Sequence, residues 1–266
     1  MNGDTRPENA AGGSAGPLAD VRAPAAPPDD EKPAEGCYAL ISDVGRAREL
    51  NEDSAFALVM HRLAHAGRQS LGLFMVADGM GGHAGGERAS LLAIRVAAQS
   101  LLREVLQPLA DPAGDATHSI PINEAIERAF QAAHARVVEE VSGGATTLTI
   151  ALLMGQRVYV GHAGDCRLYV VDRSGLACLT RDHSVLSRLV ELGQVSPEAL
   201  SAAGDDPRRN ALYRAVGQAG ELELDLFSRA LRPGAALLLC SDGLWGSVAE
   251  ETMQEIIAGA ESPADA

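Results

Sequence analysis

Residues Leu71-Gly-Leu-Phe-Met-Val-Ala-Asp-Gly79 form an apolar run that ends at an acid followed by a glycine. A short run of aliphatic and aromatic residues bounded by a turn signal is typical of a buried β-strand. The Asp-Gly pair that follows favours a tight turn. The segment therefore predicts a buried strand that carries Asp78 to one rim of a sheet.

The same periodicities extend outward in both directions from this strand. Alternating apolar residues predict short strands, and apolar residues at steps of three and four predict amphipathic helices. Strands joined by tight turns, with two long helices inserted, argue for antiparallel sheets covered by helices, an α+β fold. The predicted strands cover 38–41, 54–60, 71–77, 146–153, 157–162, 166–171, 176–179, 222–227 and 235–240, and the predicted helices cover 91–105, 122–137, a stretch from the capping residue Ser184 to 192, and 250–257.

Composition separates the chain into two parts. Residues 1–36 are rich in proline, glycine and alanine and hold almost no large apolar side chains, so we expect a disordered leader. Residues 37–266 are expected to form one globular domain, because the 266-residue chain is 46% hydrophobic. Within that domain, the polar stretch 193–210 is expected to form a surface flap.

Charge and cysteine usage narrow the classes of partner. The net charge of −14 disfavours binding to nucleic acid or to anionic membranes. No apolar stretch of about 20 residues is present, so no membrane span is predicted. The sequence shows no signal-peptide pattern, and Cys37, Cys166, Cys178 and Cys240 resemble buried thiols of a reducing compartment. A cytoplasmic location is therefore expected.

Acidic residues recur where predicted strands end. Asp78 and Asp242 each follow an apolar strand and precede glycine, Asp165 lies in a tight turn between strands, and Glu52 and Asp53 precede another strand. Carboxylates that meet on one rim repel each other unless cations lie between them, and Mg²⁺ and Mn²⁺ prefer such oxygen ligands. A single Asp-Gly pair is also explained by a turn alone, so spacing by itself leaves both interpretations open.

A series of short motifs is spread over about 38–258. The motifs are Ser42-Asp-Val-Gly45, Arg48, Asn51-Glu-Asp53, Asp78-Gly-Met-Gly-Gly-His83, Ala84-Gly-Gly86, Gly144-Ala-Thr-Thr147, Gly164-Asp-Cys-Arg167, Thr180-Arg-Asp-His-Ser184, Asn210-Ala-Leu-Tyr-Arg-Ala-Val-Gly217 and Ser241-Asp-Gly-Leu-Trp245. They resemble the motifs of the type 2C, or PPM, family of metal-dependent protein serine/threonine phosphatases, in its bacterial branch. One such motif is weak support because Asp-Gly is common, whereas the whole set in the family's order is specific.

The resemblance implies an α-β-β-α sandwich of two antiparallel sheets flanked by helices. It implies hydrolysis of phosphoserine and phosphothreonine in proteins by a metal-activated water, with two Mn²⁺ or Mg²⁺ ions and a third, weaker ion. The resemblance also implies which residues bind the ions. By this resemblance Asp78 bridges the first two ions, and Asp242 is a ligand of the first. The Gly79 carbonyl and the acids Glu52 and Asp53 serve the second ion, and Asp165 together with Asp242 serves the third.

Two further residues are candidates for catalysis. Arg48 resembles the family's phosphate-binding arginine, and a guanidinium binds phosphate bidentately, although an arginine in a polar turn is commonly just solvated. His83 is a candidate general acid for the leaving alkoxide. In the eukaryotic branch a histidine directly follows the Asp-Gly pair, where this chain has Met80, so a structural turn histidine is the alternative for His83. His162 and His183 are expected to be hydrogen-bonded structural residues.

The chain's last residues depart from the family pattern. Family members end with an Asp-Asn motif that completes the first ion's ligands, followed by a final strand. The sequence given stops at Ala266 without either, so we expect the final strand to be missing and, if the chain is complete, activity to be weakened. This leaves an alternative function, a non-catalytic phosphoprotein-binding or metal-responsive regulatory module. The expected partners are phosphorylated proteins, including a cognate serine/threonine kinase and its substrates, and the expected state is a monomer.

Overall fold

The computed structural model describes residues 38–46, 48–64, 67–81, 85–110, 121–196, 208 and 211–266, without the side chains of 62–69 and 110. The predicted leader, Cys37, His83 and most of the predicted flap lie outside the described residues. The described strands are β1 (Asp53–Ala64), β2 (Gly67–Met80), β3 (Ala145–Thr146), β4 (Leu148–Met154), β5 (Arg157–Ala163), β6 (Arg167–Asp172), β7 (Gly175–Cys178), β8 (Asp225–Ala230) and β9 (Ala236–Cys240).

The helices lie between and after these strands. The first, α1, continues through one π-helical turn at Leu102–Leu106 into the short α2. Ser184 caps α4, since its Oγ accepts a 3.2 Å hydrogen bond from the Ser187 amide, as the sequence predicts. The described helices are α1 (Gly85–Leu101), α2 (Gln107–Ala110), α3 (Ile122–Glu140), α4 (Val185–Glu191), α5 (Asp242–Trp245) and α6 (Glu250–Gly259).

Two antiparallel sheets organise the described residues. The larger sheet runs in the order β1-β2-β4-β5-β8, with β3 paired to β2, and the smaller sheet runs β7-β6-β9. Hairpins join neighbours such as β1 and β2, where Asp53 lies opposite Asp78. The connection from β5 to β6 crosses from the larger sheet to the smaller one, so residues 164–166 lie between the two sheets.

Alternation along the strands gives the larger sheet two apolar faces. On β2, Leu73 and Met75 join the core that packs against α1 and α3, whereas Phe74 packs into the core shared with the smaller sheet. Gly161 on β5 shows how closely a helix lies, because a Cβ there would come within 2.4 Å of Ile126 on α3. Helices therefore cover one face of the larger sheet, and the smaller sheet covers the other.

The smaller sheet is covered in turn by α6. Its outer face buries Tyr169 with Met253 of α6, and Trp245 and Val248 pack against the same cluster. The order of layers is therefore helices, larger sheet, smaller sheet, helix. The predicted α+β sandwich of two antiparallel sheets is confirmed.

Three of the predicted details are wrong. Residues 38–41 form no strand: Tyr38, Leu40 and Ile41 are exposed, and no backbone partner is found for this segment among the described residues. The strand predicted at 222–227 begins only at Asp225. Cys178 is exposed rather than buried, whereas Cys166 and Cys240 are buried free thiols.

Among the described residues, no helix is long and apolar enough to cross a membrane.

Candidate functional site

The first group of acids lies where β1 begins and β2 ends. Asp53 and Asp78 are direct partners in the β1–β2 register. The Gly79 amide donates a 3.0 Å hydrogen bond to the Glu52 carbonyl, so Glu52 lies beside the same rim. Three of the predicted acidic residues are therefore brought together by one hairpin.

Two glycines allow this rim to pack tightly against the start of α1. A Cβ at Gly79 would lie 2.2 Å from the Gly86 carbonyl oxygen and 2.7 Å from the Glu52 carbonyl oxygen. A Cβ at Gly86 would lie 2.4 Å from Glu52 Oε1. The atoms around Gly79 are backbone atoms, so only glycine fits there, whereas a Cβ at Gly86 would displace the Glu52 carboxylate, which lies against the first turn of α1.

Neighbouring strands hold the backbone of Asp78 in place. The Asp78 amide donates to Thr147 Oγ1 at 2.7 Å, and the Thr147 amide donates to the Asp78 carbonyl at 2.9 Å. The Thr146 hydroxyl donates to the same carbonyl at 2.9 Å. These bonds fix the turn after β2 and orient the Asp78 side chain toward the space between the sheets.

Asp165 lies on the connection that crosses between the sheets. It is buried, at 7% exposure. The Gly164 amide donates to His183 Nδ1 at 3.1 Å, and the Asp165 carbonyl accepts a 3.0 Å hydrogen bond from Trp245 Nε1. The turn that carries this carboxylate is therefore bonded on both sides.

Asp242 begins α5 directly after the last strand of the smaller sheet. Ser241, one residue before, donates a 2.6 Å hydrogen bond from its hydroxyl to Asp53 Oδ2. The end of β9 thereby meets the beginning of β1, and Asp242 lies near the acids of the larger sheet.

Electrostatics show that these carboxylates face one another. Burial, followed by the charges of Asp53, Asp242 and Asp165 and a side-chain hydrogen bond with Asp242, raises the pKa of Asp78 to about 8. Burial, followed by the charges of Asp242 and Asp182, raises the pKa of Asp165 to about 7. A cluster with this much mutual repulsion is stabilised by either protons or cations.

The donor set fits Mg²⁺ or Mn²⁺. The three side chains whose charges raise the pKa of Asp78, those of Asp53, Asp165 and Asp242, are carboxylates, the ligand type that hard divalent ions prefer. Across the part of the chain that the structure describes, no three acidic, histidine or cysteine side chains are drawn together as tightly as a full set of metal ligands. Octahedral ions that keep several waters need only one or two protein ligands each. The arrangement therefore suits partly hydrated ions.

Arg48 lies beside the acids on the segment before β1. Its Nη1 donates to Glu52 Oε2 at 2.8 Å, and its side chain is 58% exposed. A guanidinium held at one edge by a carboxylate keeps further N–H donors for an anion arriving from solvent. His83, the candidate general acid, lies outside the described residues.

The prediction for the two buried histidines is confirmed. His162 Nε2 donates to the Arg181 carbonyl at 2.9 Å, while its Nδ1 lies 2.9 Å from the Thr149 hydroxyl. Burial, followed by the charge of the neighbouring His183, lowers the pKa of His162 to about 4. Both imidazoles are buried and hydrogen-bonded.

Three residues of the site have roles that motif spacing does not reveal: Thr147, Ser241 and Trp245. Each acts through a hydrogen bond to a residue distant in sequence, at Asp78, Asp53 and Asp165 respectively. For Ser241, the position next to Asp242 is the sequence signal that points to a role in the site. No local pattern points to the hydrogen bond of Trp245.

Known proteins are similar to this chain in sequence and in structure. The family model for protein phosphatase 2C matches residues 47–262. The serine/threonine phosphatase stp of Listeria monocytogenes is 32% identical over 225 residues, which are 81% of this chain and 81% of that protein. The serine/threonine protein phosphatase PstP of Mycobacterium tuberculosis is 38% identical over 223 residues, which are 83% of this chain and 38% of that longer protein.

A solved structure extends the likeness to three dimensions. The crystal structure of the PstP catalytic domain in complex with two manganese ions aligns with a TM-score of 0.62 at 34% identity, covering 86% of each chain. This chain belongs to the protein phosphatase 2C family.

Proposed function

We propose that this chain hydrolyses phosphoserine and phosphothreonine esters in proteins with water and with Mn²⁺ or Mg²⁺ as cofactor. The observation that carries the proposal is the convergence of Asp78, Asp165 and Asp242, from three distant parts of the chain, in one self-repelling cluster. Its supports are family membership, the phosphatase relatives and the manganese bound by the PstP catalytic domain.

The ligand roles follow from where each acid lies. Asp78 is central, because the charges of the other three aspartates act on it, and it is the proposed bridge between two ions. Asp242 is the proposed ligand of the first ion. The Gly79 carbonyl is the proposed ligand of the second, with the acids Glu52 and Asp53 beside it. Asp165 together with Asp242 is the proposed site of a third ion.

The chain's own residues bind and orient the phosphate. When bound, divalent ions lower the pKa of a water molecule and offset negative charge on the phosphoryl oxygens. Arg48 supplies the complementary positive charge from the protein, and its planar guanidinium aligns the phosphoryl group for in-line attack. Its partner Glu52 keeps the guanidinium at the rim of the site.

The proton for the leaving alkoxide is assigned to His83. A histidine with a pKa near neutrality suits a general acid. This assignment rests on the sequence resemblance, because His83 lies outside the described residues. Replacement of His83 by glutamine is expected to slow the hydrolysis of phosphoserine peptides more than the hydrolysis of p-nitrophenyl phosphate, because the p-nitrophenolate leaving group needs no proton.

Phosphorylated proteins are the proposed substrates, and a cognate serine/threonine kinase and that kinase's targets are the specific candidates. A monomer in the cytoplasm remains the expectation. The non-catalytic binding module is not favoured, because the relatives are named as phosphatases.

Turnover of a phosphothreonine peptide and of p-nitrophenyl phosphate tests the proposal, with Mn²⁺, with Mg²⁺ and with excess chelator. Hydrolysis that depends on the divalent ion and favours phosphothreonine over phosphotyrosine is expected. The control variant Glu139→Gln, which alters an exposed carboxylate on α3, should match the unaltered protein. Undiminished turnover in chelator, or peptide binding without any turnover, would overturn the proposal.

A further inference from the structure

We propose that His183 and Trp245 are positioning residues that hold the Asp165 turn from opposite sides and so set the distance between Asp165 and Asp242. The inference rests on the proposed function, since it concerns the third ion's site. Neither residue contacts substrate; both act through the backbone of residues 164 and 165.

The turn itself depends on external support. Gly164 has a φ of +117°, a conformation that side-chain-bearing residues rarely adopt, and a Cβ there would lie 2.5 Å from the Thr147 side chain. The peptide groups around it are buried between the sheets, where an unpaired donor or acceptor is costly. The side chains that satisfy these groups therefore decide where the Asp165 carboxylate lies.

His183 holds the first side of the turn. Its backbone amide donates to the Gly164 carbonyl at 2.8 Å, and its Nδ1 accepts from the Gly164 amide at 3.1 Å. Because Nδ1 accepts, Nε2 carries the hydrogen, and it lies 3.3 Å from Asp225 Oδ2. Asp225 is also bonded to Arg214 at 3.2 Å, so the imidazole's orientation is fixed from β8.

Trp245 holds the second side. Its Nε1 donates to the Asp165 carbonyl at 3.0 Å, and its ring lies under the Arg167 guanidinium at 3.8 Å. Arg167 is fixed in turn by two hydrogen bonds to Asp182, of 2.9 and 2.7 Å. The indole is therefore held by a bonded arginine and points at one carbonyl.

The hydrogen bonds of Trp245 and His183 together set the distance between Asp165 and Asp242. Trp245 ends the same short helix that Asp242 begins, so the indole bond ties the Asp165 backbone to the element that carries Asp242. Asp182 and His183 are adjacent, so one segment braces both the arginine and the glycine. Displacing Asp165 relative to Asp242 requires breaking the indole bond or the imidazole bond.

Conservative variants separate positioning from packing. Trp245→Phe keeps an aromatic ring under Arg167 and removes the N–H donor. His183→Asn keeps an acceptor at the position of Nδ1, whereas His183→Leu removes it. Leu101→Val, at a fully buried core position at the end of α1, is the matched control for a general loss of stability.

Manganese binding is measured by calorimetric titration of each full-length variant, alongside Tm in chelator. We expect Trp245→Phe and His183→Leu to weaken the weakest class of site roughly fivefold, as loss of one hydrogen bond predicts, and to leave the tighter sites unchanged. His183→Asn should restore the affinity that His183→Leu loses, and Leu101→Val should lower Tm alone. Unchanged weak-site affinity in Trp245→Phe would overturn the inference, even if His183→Leu fails to fold.

A measurement on the unaltered protein adds an independent readout. Trp245 is the one tryptophan in the sequence, so a single indole N–H signal appears in a ¹H–¹⁵N spectrum. Saturable movement of that signal during Mg²⁺ titration, at the concentrations that fill the weakest site, supports the inference. An unmoved signal while that site fills contradicts it. An unaltered protein that binds no divalent ion would instead refute the proposed function.

Discussion

The Ser241 hydroxyl donates a 2.6 Å hydrogen bond to Asp53 Oδ2, across 188 positions of sequence. Ser241 follows the last strand of the smaller sheet, and Asp53 begins the first strand of the larger one. The bond joins the two sheets at the rim where the acidic residues meet. It fixes one of the carboxylates proposed to lie beside the metal ions.

Ser241→Ala should lower the free energy of unfolding measured by urea in chelator. A hydrogen bond to a charged acceptor contributes about 1.5–3 kcal/mol, and its loss leaves Asp53 with one donor fewer. The exposed Ser262 hydroxyl makes a 2.6 Å bond to Asp265, so Ser262→Ala is a matched control and should change stability by less than about 0.5 kcal/mol. Equal losses in the two variants would show that the Ser241 bond has no special role.

Asp78→Asn should abolish turnover and at the same time raise the Tm of the metal-free protein at pH 8. The amide cannot serve as an anionic ligand, and the expected loss of rate is on the order of 100-fold or more. The same change removes the charge that Asp53, Asp165 and Asp242 repel. Turnover assays and thermal unfolding in chelator measure the two effects. Normal turnover in Asp78→Asn would contradict the assignment of Asp78 as a metal ligand.

Arg48→Ala should raise KM for a phosphopeptide about tenfold, with a smaller effect on kcat. The guanidinium binds phosphate in both the bound substrate and the transition state, so its removal costs binding at each stage. Arg48→Lys should be intermediate, because an ammonium cannot bind two oxygens in one plane. Arg136→Ala, on the exposed face of α3, is the control. An unchanged KM in Arg48→Ala would contradict the phosphate-binding role.

Stabilisation by Mg²⁺ should increase from pH 6 to pH 8. The pKa of Asp78 is raised to about 8 and that of Asp165 to about 7, both above the ordinary value of 3.8. Between pH 4 and pH 8 the folded, metal-free protein therefore binds more protons than the unfolded chain, so its stability falls as the pH rises. A cation that replaces those protons binds more tightly at the higher pH.

The measurement compares Tm with Mg²⁺ and with chelator at several pH values. The gap between the two curves should widen steadily toward pH 8. Asp165→Asn should narrow that gap, because one of the two titrating carboxylates is gone. A Tm difference that stays constant from pH 6 to pH 8 would show that Mg²⁺ binding does not depend on the ionisation of Asp78 and Asp165.

The larger sheet could be predicted from the sequence because its strands have local patterns. Along β2 and β4, apolar residues alternate between the helix side and the smaller sheet, and hairpins join β1 to β2 and β4 to β5. The failure at 38–41 has the opposite cause. A strand needs a backbone partner, and an apolar tetrapeptide such as Tyr38–Ile41 does not contain the information about which partner is present.

The acids of the site were predictable for a similar reason. Asp78 lies near the end of β2 and Asp242 comes two residues after the end of β9, so their placement at a rim is a local property. The residues that align those acids were not predictable. The bond from Trp245 to Asp165 and the bond from Ser241 to Asp53 depend on tertiary packing, which no spacing rule encodes.

The chain crosses from the larger sheet to the smaller sheet between β5 and β6. Because of this crossing, retention of the proposed metal ions depends on the two sheets staying packed against each other. Asp53 and Asp78 belong to one sheet, Asp242 follows a strand of the other, and Asp165 lies on the crossing itself. A partial opening that separates the layers would divide the proposed metal ligands between two halves and so release the ions, even with the strands β1, β2 and β4 still paired. Ion release would then act as an early marker of unfolding, and excess divalent salt would protect the molecule by holding its two halves shut.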